Sequence, residues 1–373
     1  MSSAEQPGAP DDVPGSELND APLVKPVRPG PNIWTAGLWW FMLLAAQFLF
    51  GFGAAILIVI VAVARLGPEG FRASMQKGGS GALLNMPGAM LILFLTATGC
   101  TLLVGAAIVA LQFRKDALRL IALRGMSPLH GMLVLLMVLP TLLVAGNIST
   151  LSSRVLPDFG SNDQMYANLA AEAWPLVLLL GCLLPAAGEE LFFRGYLSRG
   201  LVARHGVVFG TFLTALLFGL LHVNPPQVVG TAILAIGFQV AYLSTKSLWA
   251  PVLFHALNNA ISFFLMRLAL NAKNSGTPIL NEQEPLPPLL FATAVVAALA
   301  VGWLLYETRI RWVMPSGEFW SPGYITAETP PTALGAVPKR WSPRLAAVAT
   351  AAVAYAIFVA VLLWEIWKVL KSN

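Results

Sequence analysis

An all-α, polytopic bundle of transmembrane helices is the fold class this sequence predicts, and two observations carry that expectation. Only 11% of its 373 residues are charged and 57% are hydrophobic, with a mean hydropathy of +0.72. A soluble domain carries about 25% charged residues. Uncharged apolar runs over 39–64 and 87–113 each exceed the roughly 20 residues that a helix needs to cross a bilayer. Together these exclude a water-soluble core of this size.

Residues 1–32, rich in Pro, Gly, Asp and Ser without periodicity, are expected to form a disordered tail. The tail is acidic and sets about thirty residues before the first apolar run, which is not the order of a secretory signal peptide. After the two long runs, further apolar segments follow at 129–148, 174–187, 207–222, 226–243, 248–266, 287–306 and 346–364, so that eight or nine membrane segments are expected. Tryptophans at segment ends (Trp34, Trp39, Trp40, Trp249, Trp312, Trp320) suit an interfacial aromatic belt. The chain divides into N-terminal transmembrane helices over 33–170, a polar-bearing core over 171–270, and C-terminal helices over 271–373 with a proline-rich polar connection at 307–345.

A net charge of +5 and a pI near 9.4 read as positively charged cytoplasmic loops and not as a nucleic-acid surface, because no basic stripe or groove-reading module accompanies them. With alternating spans and a cytoplasmic N-terminus, about two-thirds of the lysines and arginines fall on the inside, which favours that orientation. The Ala-, Gly- and Pro-rich composition points to a bacterial inner (plasma) membrane. Cys100 and Cys182 lie in apolar segments without a C-x-x-C pairing and read as packing residues.

An ionisable residue inside a membrane segment is costly and marks function by default. This chain gathers such residues between 186 and 260: Glu189, Glu190 and Arg194 in "AAGEELFFRGYL", His222 at the end of the next segment, and His255, Asn258 and Asn259 in "FHALNNA". Pro185 and Gly188 are expected to break the helix, leaving both glutamates in the first turn of a new one, where free N–H groups favour anions. Glu190 and Arg194, four apart, are expected to form an ion pair, while Glu189 points elsewhere. The alternative is a single structural charge cluster of all three. Helices over 189–204 and 207–222 form a hairpin with arms of roughly 24 Å, which brings Glu189 level with His222. His255 and Asn259 share a face, with Asn258 displaced and bonding locally. A carboxylate, two imidazoles and an amide can hold a water, with or without a metal, and polarise a carbonyl. His130 and His205, outside this set, are expected to be solvated surface residues.

Other chemistries fail on residues. No H-E-x-x-H occurs, no intramembrane aspartate pair is present, and "GGSG" at 78–81 reads as a turn and not as a serine nucleophile. A proton-coupled transporter built on the same buried groups stays open.

Glu189-Glu190-x-x-x-Arg194, Phe218-x-x-x-His222 and His255-x-x-x-Asn259, in this order, resemble the motifs of the CPBP family (CAAX proteases and bacteriocin-processing enzymes, or Abi family), which includes the type II CAAX prenyl endopeptidases. The resemblance covers about 172–270. It implies an all-helical, glutamate-dependent intramembrane peptidase, commonly grouped with metalloproteases, acting on a membrane-associated peptide or protein. Glu189 with His222 would activate water, His255 with Asn259 would stabilise the oxyanion, and Glu190 with Arg194 would support the site. Two histidines and a glutamate (Glu189, His222, His255) also resemble a catalytic ligand set for a divalent metal such as zinc, although the same groups can act as base and oxyanion donors without one. A non-proteolytic family member, serving as an interaction or immunity protein, is the alternative the resemblance leaves open.

Overall fold

A computed structural model describes residues 30–86, 88–159, 163–275 and 284–372. The tail expected over 1–32 lies, apart from its last three residues, outside the described residues. The fold is an all-α bundle with α1 Ile33–Leu84, α2 Ala89–Phe113, α3 Pro128–Ser152, α4 Asp163–Ala171, a helical run α5 Trp174–Leu220, α6 Pro225–Thr245, α7 Trp249–Ser275, α8 Pro288–Glu307 and α9 Leu345–Ser372. Eight of these are long and apolar enough to cross a membrane, so the chain is an integral membrane protein.

Local sequence explains how the helices begin and bend. The Asn32 side chain accepts from the Thr35 N–H and the Thr35 hydroxyl accepts from the Asn32 N–H, both at 2.9 Å, a reciprocal cap for α1. Within α1 the "GGSG" stretch coincides with a kink at Gly79, as a turn-forming sequence should. Cys100 and Cys182 are buried free thiols.

The expected helix break at Pro185 and Gly188 does not occur. The helix runs through both, and wide π-helical turns over Val177–Leu183 and Leu191–Leu197 flank them. Such a turn shifts the hydrogen-bond ladder that the missing proline N–H would otherwise interrupt. Gly188 serves close packing: a Cβ there would lie 2.8 Å from the backbone nitrogen of Leu102 on α2. Glu189 and Glu190 therefore sit in mid-helix and not on the free N–H groups of a first turn.

The reversal comes at Gly206, whose φ of 80° and ψ of 170° suit glycine. The segments expected at 174–187 and 207–222 are thus parts of one run folded back on itself, with the Phe193 and Phe218 rings 5.0 Å apart across the hairpin.

Residues 308–344 are a folded cap on the same end of the bundle as this reversal. Its strands β1 Ile310–Val313 and β2 Val337–Arg340 pair antiparallel, with Ile310 opposite Arg340. Polar bonds fasten it to the helix ends. Arg199 of α5 forms a fully buried ion pair with Glu328, Arg119 donates to the Thr329 carbonyl at 2.9 Å, and Lys246 donates to the Thr326 carbonyl at 2.5 Å. Arg124 donates to the Lys246 and Thr245 carbonyls and lies 4.9 Å over the Trp312 ring. The expectation of a solvated His130 is overturned here. It is completely buried, its Nε2 lying 3.0 Å from the Thr308 carbonyl and its Nδ1 3.2 Å from the Ser127 hydroxyl, because the cap covers the start of α3. His205 is exposed beside Phe209.

Two outcomes test the cap. Arg199→Ala leaves Glu328 buried without its cation and should cost about 3–5 kcal/mol, read as a lower thermal midpoint in detergent, with most of it recovered by the pair Arg199→Met and Glu328→Leu. Burial, with Arg309, Arg124 and Arg311 nearby, pushes the Lys246 ammonium down to about 8 from its ordinary 10.5. Between these values the unfolded chain binds more protons than the folded one, so this group makes stability rise with pH from about 8 to about 10.5. Below that window the cost of its buried charge is present in full. Lys246→Met should flatten the rise in a pH series of thermal midpoints.

Candidate active site

The first arm of α5 carries the charges that the sequence singles out. Glu190 and Arg194 are both fully buried, with Arg194 Nη1 2.9 Å from Glu190 Oε1, one helical turn apart. The same oxygen accepts from His255 Nδ1 of α7, also at 2.9 Å. Arg194 Nη2 donates to the Ala235 carbonyl of α6 at 2.8 Å, and its guanidinium lies 4.9 Å from the Phe218 ring and 5.2 Å from the Phe238 ring. Phe238 in turn stacks on His255, with centroids 5.0 Å apart and planes 14° from parallel. One carboxylate therefore holds an imidazole and a guanidinium inside an aromatic box.

Glu189 lines a cavity of about 570 Å³ that neither Glu190 nor Arg194 lines. Its Oε2 is buried with no hydrogen-bond partner among the described residues. His222, His255, Asn258 and Asn259 line the same cavity. His222 Nδ1 lies 3.2 Å from the Phe218 carbonyl, so it carries the proton and leaves the Nε2 lone pair free. Glu189 and His255 are near enough to act electrostatically on His222. His255, with Nδ1 committed to Glu190, has Nε2 left to offer.

Asn259 donates from Nδ2 to the Gly181 carbonyl at 3.1 Å. Gly181 lies in the π-helical stretch Val177–Leu183, ahead of Pro185. One amide hydrogen of Asn259 stays free, while its Oδ1 accepts from Asn258 Nδ2 at 3.3 Å. Asn258 bonds locally as expected, yet it is not displaced from the site: it lines the cavity, and its own Oδ1 has no partner. Positions i, i+3 and i+4 share a helix face, so the spacing of 255, 258 and 259 already held this signal. The bond between Glu190 and His255 had no signal in the spacing. Among the described residues no three His, Cys, Asp or Glu side chains gather closely enough to hold a metal ion. Glu189, His222 and His255 thus share the cavity without forming a ligand triad.

Residues 171–261 match the family model described as type II CAAX prenyl endopeptidase Rce1-like. The matched region spans the α5 hairpin, α6 and the part of α7 that carries His255 and Asn259, and it agrees with the resemblance to the CPBP family. At the level of the family it points to a protease. No curated protein and no solved structure matches the chain.

The clamp predicts its own failure. Arg194→Ala leaves the Glu190 carboxylate buried against a histidine alone and should cost about 3–5 kcal/mol, seen as loss of the monodisperse protein or a lowered thermal midpoint. Adding Glu190→Gln to that variant should restore part of the loss.

Proposed function

We propose that this chain is an intramembrane endopeptidase that hydrolyses a peptide bond of a membrane-associated protein or peptide with a water activated by Glu189 and His222. The observation that carries the reading is the unpartnered, buried Glu189 oxygen in a cavity that His222, His255 and Asn259 also line. A buried carboxylate oxygen without a partner is the acceptor a reacting water would bond. Glu189 takes one proton from that water as its oxygen attacks the scissile carbonyl carbon, and the free Nε2 of His222 accepts the other in a hydrogen bond that orients it. The carbonyl oxygen, becoming an oxyanion, receives hydrogen bonds from His255 Nε2–H and the free amide hydrogen of Asn259. Glu190 is the counter-charge of the His255 imidazolium in this scheme. Collapse of the tetrahedral intermediate breaks the C–N bond, and the proton held by Glu189 passes to the leaving nitrogen.

The family grouping implies a divalent metal such as zinc, but the residues present do not assemble a three-ligand site, and the scheme routes no step through one. The substrate enters from the membrane or from the bilayer face opposite the cap, because the cavity is lined by the start of α2, the end of α3, α4 and the start of α6. A cytoplasmic N-terminus and a bacterial plasma membrane are the setting that the charge distribution and composition favour.

Glu189→Gln should leave the purified protein monodisperse, with an unchanged thermal midpoint, while lowering cleavage by about 10²–10⁴-fold. His222→Ala should fall in the same range. Peptide termini compared between membranes holding wild type and Glu189→Gln identify the substrate, and identical termini in the two would overturn the proposal.

A further inference from the structure

A second cavity, of about 410 Å³, lies on the opposite side of α3 and α6 from the active-site cavity and shares no lining residue with it. Its walls come from α3, the second arm of α5, α6 and α8, and they are almost wholly apolar. Thr141, Thr211, Gln239 and Ser244 break that pattern, and two of them carry an unpartnered atom. Thr141 is 5% exposed and Gln239 is 1% exposed, and Thr141 Oγ1 and Gln239 Oε1 have no hydrogen-bond partner among the described residues. Helical threonines normally close onto the carbonyl four residues back, as Thr98, Thr214 and Thr245 do. Thr141 does not. Gln239 donates from Nε2 to the Ser198 hydroxyl at 3.3 Å, and turning the amide over leaves Nε2 free in place of Oε1. Either way one end of this amide is unpaired in an apolar wall, at a cost of roughly 1–3 kcal/mol.

The mouth has a different chemistry. Trp303 and Tyr306, at the end of α8 next to the cap, line it, the placement of aromatic residues at a membrane interface. The Arg309 guanidinium lies 3.9 Å from the Tyr306 ring centroid, and Arg344 lies 5.8 Å from Trp303. Arg344 is taken up by two bonds to Glu307, at 2.7 and 3.0 Å. Arg309 bonds only the Tyr306 carbonyl, at 2.7 Å, and forms no ion pair among the described residues. A cation at the rim, hydrogen-bonding groups part-way down and an apolar floor follow one another in the order of the parts of a phospholipid.

We infer that this groove is a binding site for one anionic glycerophospholipid, with its phosphate at Arg309, an ester group at Gln239 and Thr141, and its acyl chains along α6 and α8. Gln239 lies six residues from the end of α6, about 9 Å below it, which suits the ester level of a lipid whose phosphate sits at the rim. With its amide turned over, Gln239 donates to an ester carbonyl and accepts from the Ser198 hydroxyl, which turns to it from the Arg194 carbonyl. The lipid then abuts the side chain that bonds Ser198 on the hairpin arm, one turn beyond Arg194.

Gly302 permits a direct test, because a Cβ there meets nothing closer than Met137 Cε at 3.7 Å, so a larger side chain fills the groove without striking backbone. The full-length protein in detergent is titrated with phosphatidylglycerol and with phosphatidylcholine, and bound lipid is counted by native mass spectrometry. One phosphatidylglycerol should be retained in preference to phosphatidylcholine, and Arg309→Gln should weaken that preference about fivefold, the share one arginine supplies toward an anionic membrane lipid. Gly302→Leu should abolish the retained lipid of both kinds. Arg309 is at the surface, so its variant reports on binding even if the filled groove proves unstable. Equal retention of the two lipids by wild type, an unchanged preference in Arg309→Gln, or wild-type retention in a folded Gly302→Leu would each overturn the site. Dimerisation through the groove, seen as a doubled mass that phosphatidylglycerol does not displace, would do so as well.

Discussion

The site rests on one carboxylate oxygen. Glu190 Oε1 accepts from Arg194 and from His255, each at 2.9 Å, in a region where no side chain of the three is more than slightly exposed. Burying an isolated charge costs several kcal/mol, and a buried pair repays that only with good geometry and further hydrogen bonds. Here the further bond goes from Arg194 to the Ala235 carbonyl, and the Phe218 and Phe238 rings, 6.0 Å apart and nearly perpendicular, form two adjoining walls against the guanidinium. A single oxygen thereby joins the first arm of α5 to α7, and its partner Arg194 joins that arm to α6 and to the returning arm. It also fixes the His255 ring, since the nitrogen held by Glu190 determines which nitrogen is left over.

The adjacent carboxylate is free because of helix geometry. Successive residues point about 100° apart, so a helix that aims Glu190 at Arg194 must turn Glu189 to another side, and the hairpin places His222 there. The stretch before the nearby proline contributes in a less direct way. Pro185 follows the π-helical stretch that holds the Gly181 carbonyl, and Asn259 occupies that carbonyl at 3.1 Å. That bond fixes the amide whose other hydrogen faces the cavity. The stretch that looks from sequence like a helix break is continuous, and its π-helical part takes part in the docking of α7 on α5.

This separates what the sequence could disclose from what it could not. The apolar runs, the near-equal hairpin arms and the four-residue spacing of Glu190 and Arg194 are local properties, and helix geometry translates them directly. The spacing of 255, 258 and 259 was local too, and the share of Asn258 in the cavity wall could have been read from it. The bond from Glu190 to His255 joins α5 to α7 and depends on how they pack, and no periodicity encodes that. The continuity of α5 through Pro185 was hidden for another reason. It depends on π-helical turns, which redistribute backbone bonds without changing the hydrophobic pattern. A histidine at a segment end is ordinarily solvated, and His130 departs from that because a proline-rich connection folds over it.

That connection bears on the site despite its distance from it. Arg199 lies just beyond Arg194 on the same helical run, and Lys246 closes α6 two turns before His255 in α7. The cap bonds both, at Glu328 and at the Thr326 carbonyl. The Glu190 clamp holds these helices at mid-membrane, but one point of attachment leaves each free to tilt about it. A second attachment at the helix ends removes that freedom. In the proposed scheme the oxyanion donors act only if their spacing is fixed in advance. The buried polar bonds of the cap are therefore best understood as part of what holds His255 and Asn259 in register with Glu189.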